Sequence, residues 1–154
     1  MTDSNNYFKT ICNVSKAFGT TRDRNQLLDL VVQSAIDTMD GKAACLFLGH
    51  EGEDFFVPVA QKGLSRNYLH AEPAQAKKDV SEILEGGYIA ISDAAKDPRV
   101  KNREAKKAEG IASILVVPIR VSDRAIGVLA LYTEKVREFS EDEIDFLSAL
   151  AEQA

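Results

Sequence analysis

The chain is predicted to be a single α+β domain built on a central antiparallel sheet. Helix-spaced apolar residues occupy both ends, and apolar runs of strand length lie between them. Two of those runs, Ile114 to Ile119 and Ala125 to Tyr132, are joined by the short polar turn Val121-Ser122-Asp123-Arg124, which makes them an antiparallel hairpin. At 154 residues and 16.9 kDa the chain is the size of one ordinary domain, and a domain of that length buries roughly two thirds of the surface its unfolded form exposes. No internal repeat or low-complexity linker divides it, so one core-forming unit is expected over residues 1–154.

Apolar residues make up 45% of the chain and charged residues 28%, with no run near the roughly 18 apolar residues a membrane span needs. Met1 to Thr10 has neither a basic start nor an apolar stretch of signal-peptide type, so a cytoplasmic location is expected. A formal charge of −5 and a pI near 5.1 argue against a protein whose main task is gripping nucleic-acid phosphates. The charge is uneven, with Arg99, Lys101, Arg103, Lys106 and Lys107 clustered against Glu104 and an acidic excess after Glu134. Cys12 and Cys45 are too few for a disulfide framework, and each sits in an apolar pattern. Both are expected to be reduced and buried.

In chain order, Phe8, Ile11, Cys12, Ser15 and Phe18 follow the spacing of one helix face, and Gly19 is placed to end it. Asp23 can cap a second helix, with Gln26 three residues on in capping-box position. Its stripe is Leu27 or Leu28, then Val31, Val32, Ala35, Ile36 and Met39. Ala43 to Leu48 has no polar face, which predicts a central strand covered on both sides. After the polar turn around Gly52, Phe55 to Gln61 returns as a strand. Pro58 donates no ladder hydrogen bond and predicts an edge position or a bulge.

Leu64 to Gly87 has no strong period. Val80, Ile83 and Leu84 fit one short helix face stopped at Gly86-Gly87, and Tyr88 to Ile91 fits a brief strand. Lys101 to Glu109 reads as a helix ended by Gly110, with a thin apolar face of Val100, Ala105, Ala108 and Ile111. Gly127 inside the second hairpin strand points to close approach of another backbone or side chain. The last helix has a full start signal: Ser140 caps, Glu143 answers, and Phe139 can staple onto Ile144. Ile144, Leu147, Leu150, Ala151 and Ala154 form its stripe.

Several segments taken together carry a family resemblance. They are the Asp23-led helix, Ala60-Gln61-Lys62-Gly63-Leu64, Ile91-Ser92-Asp93 with Asp97-Pro98-Arg99, Gly110 to Ile119, Ile126-Gly127-Val128-Leu129 and Phe139-Ser140-Glu141. From about Tyr7 to Ala154 the chain resembles GAF domains, the regulatory small-molecule-sensing domains of signalling proteins. The resemblance implies terminal helices on one face of the sheet and short helices over a ligand pocket on the other. It also implies a place in a longer protein that carries a kinase, cyclase, phosphodiesterase or transcriptional output.

On this sequence the implied pocket draws on Tyr68, the Val80–Leu84 helix with Ile83, Tyr88 to Asp93 with Ile91, the Asp97–Glu109 segment with Arg99, and alternate residues from Ile111 to Val117, with Ser113 and Leu115 among them. Each has a plainer reading. Asp93 caps a local turn through an Asx bond, and Ser113 serves the backbone. Tyr68 and Tyr88 belong to the core, and the basic stretch from Arg99 to Lys107 is a solvated face balanced by Asp97, Glu104 and Glu109. His70 is the one histidine near the pocket that a haem-binding member would use as an axial ligand, against the reading of an exposed surface histidine.

Other members of the family attach a bilin to a pocket cysteine or reduce methionine sulfoxide with reactive cysteines, and no cysteine follows Cys45. The Asn-Lys-Phe-Asp-Glu signature of cyclic-nucleotide binders is absent as well. No phosphate-cradling loop, paired metal-spaced histidines or nucleophile elbow is present, so a non-catalytic chain is expected. The leading expectation is a sensor that binds an unidentified small molecule, with no cofactor assigned, and forms a homodimer through a helical seam of Phe8, Ile11, Phe18, Leu147 and Leu150. The alternatives are a ligand-free dimerisation module and a haem sensor.

Overall fold

The structure, a computed structural model, describes residues 3–49, 52, 54–71, 75–76, 87–122 and 124–153. Helix α1 (Asp3–Thr20) and helix α2 (Arg24–Met39) come first, followed by strands β1 (Ala43–Leu48) and β2 (Phe55–Lys62). A short helix α3 (Arg66–Ala71) and the two-residue strand β3 (Gln75–Ala76) lead to strand β4 (Ile89–Ile91) and helix α4 (Arg103–Glu109). The hairpin β5 (Ser113–Val121) and β6 (Arg124–Thr133) and the last helix α5 (Glu141–Gln153) complete the domain. The strands form one antiparallel sheet in the order β3-β2-β1-β6-β5-β4, so β1, the segment without a polar face, lies inside the sheet between β2 and β6.

The sheet divides the apolar interior in two. On one face α1, α2 and α5 pack over Ala44, Leu46, Leu115, Val117, Leu129 and Leu131. On the other face lie Cys45, Phe47, Ile89, Ile91, Ile114 and Tyr132, under Tyr68 of α3 and the residues flanking α4. This is the layer arrangement expected from the sequence, and the strand pleat explains it: successive residues of β1 alternate between the two cores.

Local signals act where the sequence places them. The Asp23 carboxylate accepts from the amides of Asn25 and Gln26, and Ser140 and Glu143 exchange both bonds of a capping box at 3.1 and 2.9 Å. Leu28, rather than Leu27, is the buried member of its pair. Pro58 stands at an irregularity, because the register with β1 steps from Leu46↔Ala60 to Phe47↔Pro58. Gly110 closes α4 at φ 79°, which a residue bearing a Cβ adopts only with strain.

The first helix differs from the sequence reading. Its inward stripe is Val14, which is buried, with the partly buried Tyr7, Ile11 and Phe18, and Tyr7 stacks on Phe146 at 4.5 Å between ring centroids. Phe8 lies off the stripe and is 71% exposed. Positions 7, 11, 14 and 18 keep one bearing at about 100° per residue, and position 8 departs from it by a full step. Gly19 does not end the helix, which runs on to Thr20. Cys12 is half-buried rather than buried.

Candidate functional site

The face of the sheet away from the three long helices carries the candidate site. The Phe47 and Tyr132 side chains form its floor, Ile89, Ile91 and Ile114 its wall on the β4 side, and Tyr68 descends from α3 to meet Tyr132 edge-on at 6.3 Å. Two side chains hold the covering helices together. Glu109, the last residue of α4, accepts from the Ser65 amide at 2.7 Å and from the Ser65 hydroxyl at 2.5 Å, immediately before α3. The Ser65 Oγ in turn accepts from the Tyr68 amide at 3.1 Å, so one carboxylate sets the position of the tyrosine backbone.

Lys106 sits between these helices and is 6% exposed. Its Nζ donates to the Lys101 carbonyl at 2.8 Å and lies 5.9 Å from the centre of the Tyr68 ring, where the negative ring face meets the ammonium. The reading of this stretch as a solvated basic face holds for Arg99, Lys101, Arg103 and Lys107, which are exposed, and Asp97 pairs with Arg99; it is corrected for Lys106 and Glu109. Glu109 serves Ser65, and Lys106 is buried. Beside it, Ala94, Ala95, Arg103, Lys107, Ile111 and Glu134 line a cleft of about 240 Å³.

The loop after β4 is organised by two aspartates. Asp93 Oδ1 accepts from the Ala95 amide at 3.0 Å, an Asx turn, and the Asp93 carbonyl accepts from Lys96 and Asp97. Asp97 holds Arg99 through Nε at 3.0 Å and Nη2 at 2.7 Å, and the same Nη2 donates to the Ala90 carbonyl at 2.9 Å. The hydrogen bond from the Arg99 side chain keeps the Asp97 carboxyl below its ordinary value, against a smaller opposing effect of burial.

The expected site residues divide accordingly. Tyr68 and Ile91 are brought together in the core beneath α3 and α4. Tyr88 is 43% exposed at the start of β4, and Arg99 lies at the rim. Ser113 is fully buried, and its hydroxyl donates to the Ser92 carbonyl at 2.6 Å. Leu115 requires correction, since it belongs to the core under α1, α2 and α5, across the sheet from α3 and α4. β4 pairs Ile91 with Ile114 and Ile89 with Val116, so the even-numbered residues of β5 face the site there and the odd-numbered ones face away. Ile83, with the whole Val80–Leu84 helix, lies outside the described residues, as does the His70 side chain.

Leu147 and Leu150 are also corrected as seam residues. Both are 0% exposed within the domain's own core and offer nothing to a second chain. Phe18 and Ile11 are partly buried against that core, which leaves Phe8 as the outward-facing member of the set. Phe8 and Ile11 line a shallow groove between α1 and α5, with Tyr7, Phe146, Asp142 and Asp145.

The sequence reading missed Cys45 as a residue of the site-side core and, although Lys106 falls in the Asp97–Glu109 segment expected at the pocket, missed its burial. Cys45 faces that core from β1 and is completely buried, and burial pushes its thiol up to about 12. The alternation of β1 groups Cys45 with Ala43 and Phe47 on one face, but a strand apolar on both faces gives no sign of which side that is. Lys106 gave none, because a lysine in a basic helix looks solvated until its neighbours are placed. Among the described residues no group of histidines, cysteines and carboxylates is placed to hold a metal ion, and no helix is long and apolar enough to cross a membrane.

No curated protein matches the chain. Among solved structures, the GAF domain of a phosphoenolpyruvate-protein phosphotransferase from Coxiella burnetii superposes with a TM-score of 0.84 at 22% identity, covering 97% of this chain and 90% of that one. A domain of a two-component sensor histidine kinase protein from Sinorhizobium meliloti, assigned to it putatively, gives 0.73 at 20% identity over 86% and 88%. The free methionine-R-sulfoxide reductase of Neisseria meningitidis gives 0.78 at 17% identity over 96% and 84%. These superpositions establish a shared fold. The profile of the GAF domain family, a family of regulatory sensor domains, matches residues 23–154. With the two-core sheet and its helical layers, that match establishes that the chain belongs to the GAF domain family.

Proposed function

We infer that this GAF domain is a non-catalytic sensor. It binds a small molecule on the α3 and α4 side of the sheet and passes its state through the terminal helices to an output domain of a longer signalling protein, such as a two-component kinase. The observation that carries this reading is the second core. It is roofed by short helices that one carboxylate ties together, and it contains a buried ammonium beside the Tyr68 ring, which itself meets Tyr132 edge-on. A site with apolar walls and a few fixed polar groups suits a small organic ligand. Tyr68 and Ile91 are its inner contacts, and Tyr88, Asp93 and Arg99 lie toward its rim.

The thiol on that face supports the non-catalytic reading. Cys45 is fully buried, and its raised pKa leaves almost no thiolate near neutral pH. Homodimerisation through the helix layer rests on Phe8 rather than on Leu147 and Leu150, and a cytoplasmic setting completes the reading. A second reading, a ligand-free structural module, draws on the close packing of Tyr68 and Tyr132, 4% and 2% exposed.

Native mass spectrometry on rapidly purified protein separates the two. A dimer that retains a discrete added mass, lost in Lys106→Ala, is the result expected of the sensor. A bare protein that stays bare after incubation with a cell metabolite extract favours the structural module.

A further inference from the structure

Ser113 opens β5 with its hydroxyl fully buried, so its hydrogen-bonding capacity must be met inside the protein. The Oγ donates to the Ser92 carbonyl at 2.6 Å and accepts from the Arg137 amide at 2.9 Å. The carbonyls of Lys135 and Arg137 stand at 3.2 and 3.3 Å from the same oxygen. A hydroxyl has one proton to give, and here three carbonyls compete for it.

The two sides of this hydroxyl lead to different parts of the fold. Ser92 begins the loop that Asp93 and Asp97 organise on the site side. Arg137 lies in the link from β6 to α5. Its Nη1 donates to the carbonyl of Met39, the last residue of α2, at 2.9 Å, and its Nη2 pairs with Glu143 in the first turn of α5 at 2.5 Å. The other Glu143 oxygen closes the capping box on the Ser140 amide. One serine and one arginine thus join the loop after β4, the end of α2 and the start of α5.

We propose that the Ser113–Arg137–Glu143 cluster couples the two sides of the sheet, so that order in the loop 92–97 and order at the start of α5 are gained and lost together. The bistable element is the serine proton. With the Ser92 carbonyl in place it points there. When that carbonyl withdraws, the hydroxyl turns toward the Lys135 or Arg137 carbonyl and its lone pair swings off the Arg137 amide, which loosens the link whose guanidinium anchors both α2 and α5. The use of this coupling in signalling rests on the sensor reading. The coupling itself does not, and it is measurable with no ligand present.

Amide hydrogen exchange on the full chain tests it. Ala94, Lys96 and Asp97 donate to backbone carbonyls in or beside the loop, while Gly41 and Ile144 report on the end of α2 and the start of α5. Arg137→Gln removes the guanidinium pairs and leaves the backbone amide on Ser113. It is expected to speed exchange at Gly41 and Ile144 and, with them, at Ala94, Lys96 and Asp97 by about tenfold or more, the size of one lost charged hydrogen bond. Ser113→Ala approaches from the other side and is expected to loosen the same two groups. Asp23→Ala, which removes a cap at the far end of α2, is the control for general loss of stability and is expected to leave Ala94, Lys96 and Asp97 within about twofold. Faster exchange at Gly41 and Ile144 alone in Arg137→Gln overturns the coupling. An equal rise at the loop amides in Asp23→Ala overturns it too. Arg137→Gln decides by itself if Ser113→Ala does not fold.

Discussion

Gly127 of β6 lies directly against the Phe47 carbonyl of β1, where a Cβ would collide with that oxygen and with the Leu48 side chain. The contact falls in the pairing between the two innermost strands, Leu48↔Gly127, so relief requires moving the ladder itself. Gly127→Ala is expected to destabilise the domain by about 1–3 kcal/mol, the usual size of overpacking. Gly19 has nothing within 4 Å of its added Cβ and sits in α1, so Gly19→Ala is expected to stabilise by about 0.5–1 kcal/mol. Urea unfolding of the two variants reads the contrast, and shifts of the same sign would remove the steric account.

The helix layer offers a second contrast, between residues that look alike in sequence. Leu147 is completely buried under α1 and α2, and Leu147→Ala is expected to cost about 2–5 kcal/mol. Phe8 is mostly exposed, so Phe8→Ala is expected to stay within about 0.5 kcal/mol in stability while weakening self-association in sedimentation. A dimer as tight in Phe8→Ala as in the parent would take Phe8 out of the interface.

These contrasts mark how far the sequence could be read. Strands, caps and the two-layer arrangement were legible because each depends on local chemistry: an unbroken apolar run at Ala43 to Leu48, a carboxylate at Asp23, the Ser140 and Glu143 pair. The parity of β5 was not. Ile114 to Val117 is apolar on both faces, so period-2 alternation gave no sign of which residues face α4, and Leu115 was assigned to the wrong side. Nor was the difference between Tyr7 and Phe8, adjacent aromatics of which tertiary packing against Phe146 selects one. Lys106 and Arg137 take their roles from carbonyls distant along the chain or hidden by folding, and nothing in their neighbours' identity announces that.

The two cysteines are expected to react very differently. Cys45 is fully buried in β1 with its thiol raised to about 12, whereas Cys12 is half-buried on α1. A chromogenic disulfide reagent at about pH 8 should therefore modify Cys12 in the folded protein and reach Cys45 only after unfolding in urea. The check is a Cys12→Ser variant, expected to show almost no native-state reaction. Prompt modification of that variant would mean that β1 opens far more often than its burial implies.

The Asp97 and Arg99 pair sets a pH dependence whose sign follows from its direction. The Arg99 side-chain hydrogen bond lowers the folded-state pKa of Asp97 below the unfolded value of about 3.9, so the stabilisation is fully present above that value and is lost as pH falls through the lowered one. Arg99 is 43% exposed and solvent screens the pair, so its worth is expected to lie within about 1 kcal/mol. Asp97→Asn keeps an acceptor for the Arg99 amide and removes the charge. Urea unfolding at about pH 7, 5 and 3 should then give a parent more stable than the variant by a constant margin at the two higher values, narrowing at the lowest. Added salt should shrink the same margin at neutral pH. A margin that stays constant down to pH 3 would assign the effect of the substitution to geometry rather than to charge.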